Sequence, residues 1–191
     1  MHIEARQTLP RLLDAIGFRQ GILIGHSDGA SIAAIHAGSA QDHRVRGMVL
    51  MAPHFIVEDC TMAAIRSIRK AFDTGDVRAR FARWHADAEA TVHGWSDVWL
   101  HNDVRAWDLR EDLAYIRVPV LIVQGELDDF GTAHQIEIAR EECHCPVDAL
   151  LLPGIKHVPH REAPAATLAA IKDFCRRLLH APEGAGAARA R

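Results

Sequence analysis

Residues 25–29 read Gly-His-Ser-Asp-Gly, a serine with a glycine two positions away on each side. A serine hydroxyl is a weak nucleophile until a base takes its proton and an acid orients that base. The surroundings of Ser27 suit that use. An apolar run, Gly21 to Ile24, precedes it, and a small-residue helical pattern, Ala30 to Ala37, follows it. A strand, a tight glycine turn and a helix together hold a hydroxyl above the sheet edge, at the positive end of the helix. The alternative is a serine in an ordinary strand-to-helix turn. The expected partners follow in the order acid, then histidine. Gly125-Glu126-Leu127-Asp128-Asp129 offers two rival acids, Asp128 and Asp129. Pro153-Gly154-Ile155-Lys156-His157 offers one base, and His160 is its rival. Both groups lie just past the carboxyl ends of predicted strands, where open α/β sheets place their sites.

The elements that must position these residues can be read from periodicity. Ile3, Leu9, Leu12, Leu13 and Ile16 share one helical face that ends at Gly17, with Pro10 placing the helix start near itself. Apolar runs predict strands at Gly21 to Ile24, Gly47 to Met51, Val118 to Val123 and Asp148 to Leu152. Thr132 to Glu142 and Ala163 to Leu179 read as helices. From Ile56 to Asp112 no strand-like run occurs, and Ile65, Ile68, Phe72, Phe81, Trp84, Trp95, Trp99 and Trp107 fall at helical spacing. The expected architecture is α/β, about four parallel strands flanked by helices with one helical insertion. It divides into a core segment at 1–55, the insertion at 56–112, a second core segment at 113–180 and a Gly/Ala-rich tail at 181–191, expected to be disordered.

Composition narrows the function. The chain has 191 residues, enough for one domain with a sizeable core. The net charge is −3, with no basic stripe that would suit nucleic acid. The apolar runs are too short to span a bilayer. MHIEARQTLP lacks a secretory pattern, so the expected location is cytoplasmic. The four cysteines, at 60, 143, 145 and 175, are then free thiols. Cys143-His144-Cys145 and the spaced His85, His93 and His101 do not complete a metal site. No phosphate loop or dinucleotide fingerprint occurs, so no cofactor is expected. Arg66, Arg69, Lys70, Arg78, Arg80 and Arg83 form a basic cluster in the insertion, read as a solvated face or as an attractor of acidic substrates.

GHSDG, VPVLIVQGELDD and LPGIKHVPHREAP together resemble the α/β-hydrolase fold superfamily over nearly the whole chain. The resemblance implies Ser27 as nucleophile, Asp128 as acid and His157 as base, since Asp128 and His157 stand three residues after their glycines as in that superfamily. It implies a serine hydrolase that cleaves a carboxylic ester or related acyl bond of a small-molecule substrate. A nucleophilic serine argues against the dehalogenase and epoxide-hydrolase branches. The Ser-Asp-Gly form looks like the biphenyl-hydrolase-like branch, which cleaves amino-acid esters and uses such an acid for the amino group. Meta-cleavage-product C–C hydrolases carry similar motifs. Otherwise Asp28 is simply a carboxylate at a helix N-terminus.

The resemblance also implies gaps. One oxyanion donor would be the backbone N–H of Asp28. The superfamily takes the second from an upstream loop, and only a helix and one strand precede Ser27 here, so the second donor is expected to be missing. The upstream strands of the superfamily are absent too. The chain therefore reads as truncated, with Gly21 to Ile24 a bare apolar edge expected to drive self-association. The rival class is a catalytically impaired remnant or binding module. The insertion falls where the superfamily carries its lid. Trp84, Trp95, Trp99 and Trp107 either line an acyl pocket or pack the lid. His26, Asp28, His54 and Phe55 are the further pocket candidates.

Overall fold

Four short apolar runs build the sheet. In the computed structural model, which describes residues 1–75 and 77–179, they are β1 (Gly21–His26), β2 (Val45–Met51), β3 (Val120–Gly125) and β4 (Val147–Leu152). All pairs are parallel, and the strands lie side by side in chain order. Parallel neighbours require a crossover on a sheet face, and α2 (Asp28–Ala40) and α7 (His134–Glu142) supply two of these. The central strands β2 and β3 are buried almost throughout, as their unbroken aliphatic sequences predict. One face packs Met48, Leu50, Val120 and Ile122 against the alanine-rich side of α2. The other packs Val49, Leu121 and Val123 against Phe174 of α9 (Pro164–Leu179).

The first helix is longer than Pro10 suggests. Helical backbone begins at His2 and passes through a π-turn, Glu4–Thr8, into α1 (Leu9–Ala15). In the π-turn the Leu9 N–H bonds to the Glu4 carbonyl. Pro10 has no N–H for the next carbonyl, that of Ala5. The buried His36 ring donates from Nδ1 to it instead, at 3.0 Å. A side chain from α2 thus replaces the donor that proline removes.

The insertion leaves and rejoins the sheet at one point. Ile56 and Asp108 form an antiparallel bridge, and the Leu109 N–H donates to the Phe55 carbonyl at 2.8 Å. Between them run α3 (Asp59–Asp73), α4 (Arg78–Ala82), α5 (Ala88–Leu100) and a 3₁₀ turn, Asn102–Ala106. Arg69 fastens α3 to α5 through Ser96 Oγ (2.6 Å) and Asp97 Oδ1 (2.7 Å). The next helix, α6 (Arg110–Ala114), belongs to the main core, where Leu109, Leu113 and Ile116 are fully buried. The chain continues after β4 through α8 (Pro159–Glu162) into α9. Strand β1 lies at the sheet edge with Ile24 53% exposed. The expectation of a disordered tail at 181–191 lies outside the described residues. Among the described residues no helix is long and apolar enough to cross a membrane.

Candidate active site

Ser27 stands between β1 and α2 with φ 54° and ψ −124°. A non-glycine residue rarely adopts this conformation, which costs on the order of 1–3 kcal/mol. The turn is fixed from both sides. The Ser27 N–H donates to the Met51 carbonyl of β2 at 2.9 Å, and the Ser27 carbonyl accepts from Ala30 N–H at 2.9 Å. Gly25 is required by close approach, since a β-carbon there would overlap the Gly29 carbonyl. Gly29 is different, because a β-carbon on it would meet nothing within 4 Å. The motif therefore depends on its first glycine for space.

The candidate acid lies in the loop after β3. Asp128 has a buried side chain. Its Oδ1 accepts the Phe130 N–H at 2.8 Å and its Oδ2 accepts from Gln124 Nε2 at 2.8 Å. Burial pushes this carboxyl up. The hydrogen bond and charge of His157, with the Phe130 and Gln124 donors, outweigh it and leave Asp128 below the usual carboxylate value. The candidate base lies in the loop after β4. His157 Nδ1 is 2.9 Å from both Asp128 oxygens, and its Nε2 is 2.9 Å from Ser27 Oγ. Gly125 makes this approach feasible, since a β-carbon there would overlap the carbonyls of Ile155 and Lys156. The rivals fall elsewhere. Asp129 is exposed and 3.5 Å from Lys156 Nζ. His160 packs edge-on to His26, with ring centroids 4.9 Å apart.

The hydroxyl opens into a cavity of about 290 Å³. Five of the predicted pocket residues line it: His26, Asp28, His54, Trp95 and Trp99. His26 Nε2 donates to the His157 carbonyl at 2.7 Å, tying the elbow to the histidine loop. Burial lowers the His26 pKa, against the opposing effect of that carbonyl. Burial raises the Asp28 carboxyl, against a 3.4 Å hydrogen bond from Trp99 Nε1. His54 is pushed down to about 4, chiefly by burial, and its Nδ1 has no partner. The Asp28 N–H is the first of α2, and helix geometry leaves it without an intrahelical acceptor.

Three predicted residues do not reach this cavity. Phe55 is fully buried in the main core, because Gln135 Oε1 takes its backbone N–H at 2.7 Å and turns the chain inward after β2. Trp84 follows α4, is 76% exposed and lines a neighbouring cavity. Trp107 packs edge-on behind Trp99, with centroids 5.8 Å apart. Other residues were not foreseen. Phe130 lies against the His157 ring, centroids 4.4 Å apart, and its carbonyl accepts from Thr61 Oγ1 of α3. Gln124 holds Asp128, and the sequence does carry a signal for it: a single amide at the end of an aliphatic strand must find buried partners. Among the described residues no group of three or more His, Cys, Asp or Glu could hold a metal ion.

A four-stranded parallel sheet with a strained serine at its first strand-to-helix turn is the architecture of an α/β hydrolase. Residues 3–171 match the model of the alpha/beta hydrolase family, and the chain belongs to that family. None of the curated proteins matches it. Solved structures share its fold. A bacterial membrane phospholipase A, described as a virulence factor, is similar at 18% identity and TM-score 0.70, over 93% of this chain and 63% of that one. An esterase from Rhodococcus sp. ECU1013 is similar at 19% identity and TM-score 0.66, over 93% of this chain and 74% of that one. A hydrolase from Pseudomonas aeruginosa PA01 is similar at 22% identity and TM-score 0.62, over 92% of this chain and 70% of that one. The chain thus spans less than two thirds of the phospholipase's length.

Proposed function

We propose that this protein is a serine hydrolase that cleaves a carboxylic ester through an acyl-enzyme. One observation carries the reading: the unbroken line from Ser27 Oγ through His157 to the buried Asp128, each link 2.9 Å. His157 Nε2 takes the hydroxyl proton as Ser27 Oγ attacks the ester carbonyl. Asp128, held ionised, fixes the tautomer with Nδ1–H and stabilises the imidazolium. The charge on the carbonyl oxygen builds toward the Asp28 N–H at the start of α2. Collapse expels the alkoxide, which takes the proton from His157. Water then attacks the acyl-enzyme, gives its proton to His157 and frees the acid, and Ser27 regains its proton. The reading assigns one oxyanion donor within the described residues, the Asp28 N–H. Each such donor is worth about 10²–10³ in rate.

The esterase and phospholipase among the similar structures make an ester the favoured acyl bond. The test is hydrolysis of short p-nitrophenyl esters by the purified chain. Activity is expected, lowered about a thousandfold or more by Ser27→Ala and by Asp128→Asn. Undiminished activity in Ser27→Ala would overturn the assignment.

A further inference from the structure

Beside the Ser27 cavity the insertion and the helix α8 border a second, open cavity of about 530 Å³. Ile68, Phe81 and Trp84 give it an apolar wall, and Arg80, His85 and Arg161 give it a basic side. Ile68 and Phe81 also line the Ser27 cavity, so the two spaces share a wall. The arginines arrive from separate elements, Arg80 from α4 and Arg161 from α8.

The basic cluster of the insertion sorts itself in three dimensions. Arg69 is engaged by Asp73 and Asp97, Arg78 by Glu89, and Arg83 lies over the Trp84 ring. Arg80 alone of that cluster lines the cavity, and among the described residues no carboxylate lines it. Glu162, beside Arg161, accepts from the backbone N–H groups of Lys156 and Val158. Among the described residues neither Arg80 nor Arg161 has an ion-pair or hydrogen-bond partner for its guanidinium. Two arginines lining one apolar-walled space, with no counter-charge among the described residues that line it, create a field that attracts an anion, and their planar forks match a carboxylate.

We propose that this second cavity is an anion subsite, and that the preferred substrate is an ester with a carboxylate at its far end. The carboxylate sits at Arg80 and Arg161, the connecting chain crosses Ile68 and Phe81, and the scissile carbonyl reaches Ser27. The proposal rests on the Ser27 reading for its chemistry. Both arginines are exposed, so the preference is screened by salt.

The test compares mono-p-nitrophenyl suberate with its methyl-capped diester. Calorimetric titration of the Ser27→Ala chain reads binding without turnover. The free carboxylate is expected to bind about tenfold more tightly at low salt. The ratio falls toward one in Arg80→Gln and Arg161→Gln, and toward one at high salt. In the active chain the same ratio appears in kcat/KM, carried by KM. Equal affinity for the two esters, or a preference that survives both glutamine substitutions, would overturn the subsite. Absence of turnover with the binding preference intact would instead count against the Ser27 reading alone.

Discussion

His54 sits at the meeting point of site and stability. Its ring lies 5.8 Å from that of His157 and 5.3 Å from that of Trp99, and burial holds its pKa at about 4 against an ordinary 6.5. A histidine depressed in this way takes its proton more readily in the unfolded chain. Its contribution is therefore intact above about pH 6.5 and is lost as pH falls toward 4, by up to roughly 3 kcal/mol. The lowered Asp128 carboxyl acts in the same direction in more acid solution, losing its contribution as pH falls through its folded value. Urea melts at about pH 7 and about pH 4.5 are expected to differ clearly, and His54→Leu should narrow the gap. An equal gap in both proteins would contradict the account of His54. Little of this was legible in the sequence, where His54 is one of thirteen histidines. What distinguishes it is burial between β2 and the insertion, which no local pattern encodes.

The elements were easier to read than their junctions. All four strands were marked by aliphatic runs. For the central β2 and β3 the reason is that a parallel strand buried on both faces leaves no room for polar alternation, whereas the edge strands β1 and β4 are only partly buried. The serine, acid and histidine loops could be placed because each follows such a run. The reason for each glycine could not be read, since it depends on what another loop brings near. Gly125→Ala is expected to displace the His157 loop and lower ester turnover at least tenfold while circular dichroism stays native. Gly29→Ala meets no neighbour and lies in the first turn of α2, where alanine is the better helix former. It should leave turnover within about threefold and raise stability by up to about 1 kcal/mol. The reverse ranking would refute this account of the elbow. The early start of the first helix was hidden for a similar reason: the donor that offsets Pro10 is a histidine in α2.

At the scale of the molecule, the open edge is the feature with the widest consequence. Among the described residues strand β1 has one neighbour, β2, and Ile24 is half exposed. Unpaired apolar strand edges recruit other strands, so concentration-dependent association is expected in sedimentation velocity, and Ile24→Lys should weaken it. A chain that stays monomeric at all concentrations would count against this. The same scale limited the reading of the insertion. Helical spacing marked Trp84, Trp95 and Trp99 alike, yet periodicity cannot say which face of a lid looks toward the serine. The most direct test of the central claim is labelling of the purified chain by a fluorophosphonate, read by intact mass. One adduct per chain, located on Ser27 and lost in both Ser27→Ala and His157→Ala, is the predicted result. A folded chain that takes no label, or that labels as well without His157, would mean that the line from Ser27 to Asp128 does not activate the serine.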